Sequence, residues 1–181
     1  MKTFIQTLIF LLTLSPAWTL VANAHTAPKP AVSAIQSTAR PKVAYSFDYL
    51  ASNKKVTRFF VSEEMLSIAK SELLKSNSWE FSHIVDRLSS ILTTHTHSQS
   101  ATSEIRKSYE EIATMEEYEL LMQFTKENAE IIVFGVRGKG RELKELLIFR
   151  FRDNYCSRIV QLTGKLTTDD IGKIIKLNRK K

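Results

Sequence analysis

The amino-acid sequence predicts an α+β fold, in which a late antiparallel sheet carries helices packed on one face. Apolar and polar residues alternate over several short runs in the second half of the chain, which is typical of strands. Apolar residues recur at helical spacing in the first half. The strand-like runs are separated by short turns, so they are expected to pair antiparallel as a meander of about four strands, with an additional short strand or two.

The first residues predict a secretory signal peptide. The chain has 181 residues and begins with a positive Met1-Lys2, followed by the mostly apolar stretch Phe4–Leu14 and then Val21–Ala24. Ala24 ends an A-x-A cleavage pattern, so residues 1–24 are assigned to the signal peptide. The apolar stretch is too short for a membrane anchor, because a spanning helix needs roughly 20 apolar residues.

The segment after the predicted cleavage point is expected to be a flexible tether. Residues 25–46 are rich in Ala, Pro, Ser, Thr and Lys and lack apolar periodicity. Residues 47–181 are then expected to form a single α+β domain. The residue directly after the predicted cleavage point is His25 and not a cysteine. We therefore expect an exported, soluble protein, periplasmic or secreted, with no lipid anchor and no transmembrane span in the mature chain.

Cysteine usage and charge limit the classes of function. Cys156 is the only cysteine, so an internal disulfide is impossible, and we expect an apolar strand residue there, with a reactive thiol as the alternative. The formal charge is +7, and loss of Lys2 would lower it to +6. A basic surface can bind nucleic acid, anionic lipid or an acidic partner, or can be a solvated face. Predicted export argues against nucleic acid as the natural partner.

Strands and helices alternate in the first half of the predicted domain. Val56–Val61 is β-rich and predicts a strand. Ser62 can cap the helix that follows, where Glu63 and Glu64 fall in the first turn and suit the helix dipole. Further apolar patterns predict a helix around Phe81–Leu88 with Ser78 as its cap, a short strand at Ile91–His95, and an amphipathic helix at Glu104–Met115.

The second half changes to a period of two. Leu120, Met122 and Phe124 alternate with polar residues and are expected to share one face. Three more strands are predicted at Ile131–Val136, Leu143–Arg152 and Cys156–Thr163. Within Leu143–Arg152, three apolar side chains should face the core and two arginines should face a partly solvated side: Leu147, Phe149 and Phe151 against Arg150 and Arg152.

Thr167 and Asp170 have the spacing of a capping box and predict a final helix carrying Ile171, Ile174 and Ile175.

The glycine-rich stretch Gly135–Gly140 does not predict a phosphate-binding loop. Such a loop leads into a helix, whose N-terminal amides bind the anion, whereas an alternating apolar strand follows here. The glycine spacing also departs from the known nucleotide motifs. Gly138 and Gly140 are instead expected to have positive φ in a hairpin, whose exposed tip carries a candidate partner-binding group: Arg137, Lys139 and Arg141.

No catalytic or cofactor-binding residue is predicted. His95 and His97 could share a strand face and start a metal site, but zinc needs three or more protein ligands and none completes the set nearby. We therefore expect surface or loop histidines and no metal. Ser82 and His83 are adjacent on a predicted helix and do not face each other, so with Asp86 they do not form a nucleophile–base arrangement.

The order of motifs resembles a family of small exported bacterial proteins known as domain of unknown function 4252. The stretches NKKVTRFFVSEEML, RLSSILTT, YELLMQFTKENAEIIVFGVRGKGRELKELLIFRF and IVQLTGKLTTDDIGKIIK carry the resemblance, which covers about Phe47 to Leu177. The resemblance implies no enzymatic role and supplies no catalytic residues. Many relatives look like lipoproteins, and this chain departs from them because it lacks a cysteine after its signal.

Three hypotheses about function stay open at this point. The first is a non-enzymatic, exported module that binds another envelope or secreted protein. The second is a small-ligand or metal binder that uses a cleft between the sheet and the helices. The third is a hydrolase whose site is assembled from distant residues, because active sites form in space rather than in sequence. The sequence fixes neither the partner nor the oligomeric state.

Overall fold

The computed structural model describes residues 45–75, 83–153 and 155–172, and the predicted signal peptide and residues 25–44 of the tether lie outside this part. A 3₁₀ helix at Asp48–Ser52 comes first. Eight further elements follow in chain order: β1 (Val56–Val61), α1 (Glu63–Lys75), β2 (Leu88–Thr96), α2 (Gln99–Ile112), β3 (Tyr118–Lys126), β4 (Ala129–Arg137), β5 (Glu142–Arg152) and β6 (Cys156–Thr167).

The strands form one six-stranded sheet in the order β1-β2-β6-β5-β4-β3. Every neighbouring pair is antiparallel. The predicted meander corresponds to β3–β6, and the sheet is larger than predicted because β1 and β2 join it through β6. β1 and β3 are therefore the two edge strands, and the α+β class is confirmed.

The helices pack on opposite faces of the sheet, so the prediction of helices on one face is wrong. On the first face, Leu66 of α1 shares a buried cluster with Leu146 and Ile148 of β5. On the second face, Ile105 of α2 shares a cluster with Leu147 and Phe149. The apolar run at the centre of β5 points alternately to both faces, so both faces need a cover.

A β-bulge in β3 changes the predicted facing of its side chains. Leu120 lies opposite Phe134, a member of the α2-face cluster. Met122 lies opposite Val133, a member of the α1-face cluster. The register shifts between Leu120 and Met122, and a bulge inserts one extra residue that turns the following side chains to the other face. The expectation that Leu120 and Met122 share a face is therefore wrong.

Element boundaries differ from the prediction in the first half of the chain. β2 begins at Leu88, a residue that the helical pattern had included, and residues 83–85 are helical before it. Residues 76–82, with the predicted cap Ser78, lie outside the described part. α2 begins at Gln99 and ends at Ile112, several residues earlier than the predicted Glu104–Met115.

The predicted capping box after β6 is present. The Thr167 amide donates to Asp170 Oδ2 at 2.8 Å, and the Asp170 amide donates to Thr167 Oγ1 at 3.3 Å. Arg87 Nη1 lies 2.8 Å from the same carboxylate. These bonds satisfy amides that a helix leaves open at its start. Residues 168–172 are helical, and the predicted apolar positions Ile174 and Ile175 lie outside the described part.

The glycine-rich stretch joins two strands as a hairpin. β4 ends at Arg137 and β5 begins at Glu142, so a strand and not a helix follows the glycines. Gly140 has a φ of 65°, as predicted. Gly138 does not have positive φ, so that expectation is wrong; its amide closes the hairpin by donating to Glu142 O at 2.8 Å.

Candidate functional site

A cleft of about 430 Å³ opens on the α2 face of the sheet. Its floor is formed by the ends of β2, β4, β5 and β6, and its edge by β1. The segment before the 3₁₀ helix lies along it. The residues that line it are Tyr45, Ser46, Phe47, Asp48, Arg58, Phe60, Ser90, Leu92, Val136, Lys144, Glu145, Gln161 and Thr163.

The segment Tyr45–Asp48 is fixed to the sheet on one side of the cleft. Phe47 is buried, with its ring centroid 6.1 Å from that of Phe149 in an edge-on arrangement. The Tyr45 amide donates to Tyr118 Oη at 2.9 Å, and the Tyr45 carbonyl accepts from Gln161 Nε2 at 2.9 Å. Tyr45 and Ser46, the last two residues of the predicted tether, thus belong to the wall of the cleft.

Glu145 on β5 is the most deeply buried ionisable group of the cleft, with 2% of its surface exposed. Its Oε1 accepts two hydrogen bonds, from Tyr118 Oη at 3.0 Å and from Gln161 Nε2 at 2.8 Å. Burial raises the pKa of the Glu145 carboxyl, and the two hydrogen bonds oppose that rise because they favour the charged form. Burial, reinforced by the Glu145 charge, also raises the pKa of Tyr118 above its usual value.

The rim of the cleft is polar and aromatic. Ser90 Oγ and Thr163 Oγ1 lie 2.6 Å apart and bond to each other. Arg58 Nη2 lies 2.6 Å from Asp48 Oδ1, so these opposite charges neutralise each other. Phe60 lies on the edge strand β1 with 59% of its surface exposed, the largest value among the exposed large hydrophobic residues of the described ranges.

Among the described lining residues of the cleft, the hydroxyl of Ser90 is not placed beside a base. Ser90 bonds to another hydroxyl and not to a base, and neither histidine nor cysteine occurs among the described lining residues. A nucleophilic site needs a nucleophile within hydrogen-bond reach of a base. The described lining residues provide a buried carboxyl, an amide, several hydroxyls and an aromatic rim, groups that can hydrogen-bond to a ligand and pack against it.

The basic hairpin tip that the sequence singled out lies at the end of the strands that also supply Val136 and Glu145 to the cleft. Arg137 forms a two-point ion pair with Glu119 of β3, with Nε to Oε2 at 2.6 Å and Nη2 to Oε1 at 3.0 Å. Lys139 and Arg141 are exposed. The fold therefore exposes all three candidate residues and pairs one of them, Arg137, with a carboxylate of the same chain.

The two candidate histidines touch each other away from the cleft. The ring centroids of His95 and His97 are 4.4 Å apart, nearly perpendicular. Burial, His97 and Arg158 lower the pKa of His95 to about 4. Across the described ranges, these rings are not joined by further His, Cys, Asp or Glu side chains in a group of three that could hold a metal. Cys156 begins β6, and its side chain lies outside the described part; Asp86 pairs with Lys70.

Sequence reasoning missed the residues that build the cleft. Glu145, Tyr118 and Gln161 come from three different strands and meet only in the folded sheet. A signal was present, because Glu145 lies two residues before Leu147 and so shares the apolar face of β5 with Phe149. A carboxylate at a core-facing strand position is unusual and marks a candidate site.

A family model described as domain of unknown function 4252 matches residues 45–174. The chain belongs to that family. The match spans the whole sheet and begins at Tyr45, where the wall of the cleft begins. Curated proteins and solved structures give no significant match to the chain. In the described part of the chain, the helices are all too short or too polar to cross a membrane.

Proposed function

We propose that this member of the family is a non-enzymatic, exported binding module that holds an extended segment of another envelope or secreted protein along β1. The observation that supports this most strongly is Phe60, which is 59% exposed beside an open cleft of about 430 Å³. Exposed aromatic side chains at the rim of a cleft are typical of interaction sites, because aromatic anchors dominate binding energy. The predicted signal peptide supports export.

The edge position of β1 supports an extended partner. Among the described residues, β1 pairs only with β2, so an added strand can use its outer backbone groups. Phe60 and Arg58 line the cleft from this edge. Alternate side chains of an added strand would point to the same face. Backbone pairing would then give affinity, and the cleft would select the side chain that enters it.

A photo-crosslinking amino acid placed at position 60 tests the proposal in the native cell envelope. Position 124 is a matched control, because Phe124 is also an aromatic residue on an edge strand and is 47% exposed, but on β3 at the opposite edge. We expect a discrete partner to be crosslinked from position 60 and not from position 124. Identical products from both positions, or none from position 60, would show that β1 is not the binding edge.

Two alanine variants measure how much each of these two aromatic side chains contributes to partner binding. Phe60→Ala should weaken binding of the crosslinked partner by about thirtyfold, because loss of an aromatic anchor typically costs about 2 kcal/mol and each 1.4 kcal/mol is tenfold in affinity. Phe124→Ala should leave recovery unchanged. For these variants, the crosslinker sits at a third, exposed position on β1, Thr57. A free small molecule in the cleft would instead appear as a ligand that copurifies with the protein and is lost in Phe60→Ala.

A further inference from the structure

The carboxyl of Glu145 is buried beside neutral donors but without a cation. It forms no ion pair with the described residues, and both donors to it, Tyr118 and Gln161, are uncharged. Buried charges in proteins are normally paired, because a charge removed from water without a partner costs several kcal/mol. Within the described residues, the Glu145 carboxyl therefore lines the cleft without a cationic partner.

The two oxygens of this carboxyl have different surroundings. Oε1 accepts both hydrogen bonds, whereas Oε2 has no hydrogen-bond donor among the described residues. Two donors on the same oxygen favour the ionised carboxyl. Glu145 also lines the cleft, so Oε2 is the atom that a ligand in the cleft can reach.

We propose that the cleft accepts a lysine or arginine side chain of the partner's extended segment, with its cationic head on Glu145 Oε2 and its aliphatic stem along Phe60 and Leu92. This inference rests on the proposed function and names the side chain that the site selects. Long basic side chains bury their stems on apolar surface while their head groups meet a polar partner. A charge-assisted hydrogen bond to a carboxylate is stronger than a neutral one.

The other charges of the cleft leave Glu145 as the group that can select a cation. Arg58 and Asp48 are paired with each other. Burial raises the pKa of Tyr45 and of Tyr118, so both phenols stay neutral at physiological pH. Lys144 is exposed at the mouth of the cleft and adds a positive charge there, which favours a segment whose single basic residue is flanked by neutral or acidic ones.

Backbone NMR of the purified protein with three probes tests this inference. The probes are a capped pentapeptide with a central lysine between threonine and valine residues, the same peptide with norleucine in place of lysine, and n-pentylammonium. The lysine peptide should shift the amide signals of Ser90, Leu92 and Gln161. The norleucine peptide should bind about tenfold more weakly, because it lacks the charged hydrogen bond.

Two variants assign the selectivity to the buried carboxyl. Glu145→Gln should bind both peptides equally. Glu119→Gln, a carboxyl on β3 that pairs with Arg137 outside the cleft, should keep the tenfold preference. Should Glu145→Gln not fold, a pH titration of the unsubstituted protein replaces it. Affinity for the lysine peptide should rise with pH through the raised pKa of Glu145, while affinity for the norleucine peptide stays constant.

Each contrary result has one meaning. Equal affinity of the wild-type protein for the lysine and norleucine peptides would overturn the inference, as would a preference that persists in Glu145→Gln. Equal affinity for n-pentylammonium and the lysine peptide would identify a free amine as the ligand and overturn the assignment to a partner side chain. Crosslinking from position 60 without any lysine preference would reject this inference alone. Lysine preference without crosslinking would reject the proposed partner and leave the cation site.

Discussion

The two faces of the sheet are packed with different kinds of side chain. The α1 face buries aliphatic residues, including Leu146, Ile148 and Leu162. The α2 face buries an aromatic group around Phe149, whose ring lies 6.3 Å from Phe134 and 6.0 Å from Phe151 between centroids. The α2 face also carries the cleft and the buried Glu145. One face is thus an aliphatic core, while the other combines an aromatic core with the cleft in which we propose that a partner binds.

The difference follows from how each face is covered. On the α2 face, Ile105 and Ile112 of the helix and Phe47 and Leu50 of the segment before β1 cover the sheet around Phe149. Beside this cover, the sheet presents Glu145 and Gln161 to the cleft. Large aromatic rings fill the space beside the helix. The polar side chains of the cleft therefore lie next to a packed core.

The largest expected effect is on stability, and it compares one buried β5 residue from each face of the sheet. Phe149→Ala should lower the free energy of unfolding by about 4 kcal/mol, because it removes a fully buried ring that contacts four other aromatic residues. Leu146→Ala, on the aliphatic face, should cost about 3 kcal/mol. Urea denaturation measures both. A larger loss for Leu146→Ala would show that the aliphatic face, not the aromatic one, dominates stability.

The second prediction concerns pH, because the pKa values of Glu145 and His95 are shifted in opposite directions on folding. The pKa of Glu145 is raised in the folded protein, so the folded state binds more protons than the unfolded state above pH about 4.5. Its contribution to stability is present below that pH and is lost as pH rises through the folded pKa. The pKa of His95 is lowered from 6.5 to about 4, so its contribution is present above pH 6.5 and is lost as pH falls toward 4.

Thermal unfolding across this range distinguishes the two groups. Glu145→Gln should reduce the loss of stability that the wild-type protein shows as pH rises above about 4.5. It should leave the loss of stability that His95 causes on acidification unchanged. His95→Gln should reduce the loss of stability as pH falls from 6.5 to about 4. It should leave the change in stability above pH 6.5 unchanged. Parallel pH curves for the wild-type protein and either variant would show that the corresponding group does not change its pKa on folding.

The smallest expected effect concerns the capping box at the end of the α1 face. Thr167→Ala removes the hydroxyl that bonds to the amide and the carboxylate of Asp170 and to Arg87 Nη1, and should cost about 1 kcal/mol. Thr167→Ser keeps the hydroxyl and should cost less, so it is the matched control. Equal losses in both variants, measured in urea, would mean that the methyl group of Thr167 matters and not its hydrogen bond.

The sequence predicted the local features well and the spatial ones poorly. The capping box of Thr167 and Asp170 and the strands of the meander depend on residues close together in the chain, so periodicity and spacing were enough. The two-sided cover of the sheet was missed, although the apolar run from Leu146 to Phe149 is typical of a strand buried on both faces. The cleft was not predictable in detail, because Gln161 and Tyr45 meet across 116 residues.

The position of β6 has a consequence for the order of folding. This last strand lies between β2 and β5, and contacts such as Ser90 with Thr163 span 73 residues. Until β6 is in place, β1–β2 and β3–β5 share no strand pairing, and β2 and β5 each present an open edge. Such long-range closure is slow and exposes edges that can pair wrongly. A chain that lacks β6 should therefore behave as two loosely associated pieces. Only the chain that contains β6 should unfold as one cooperative unit.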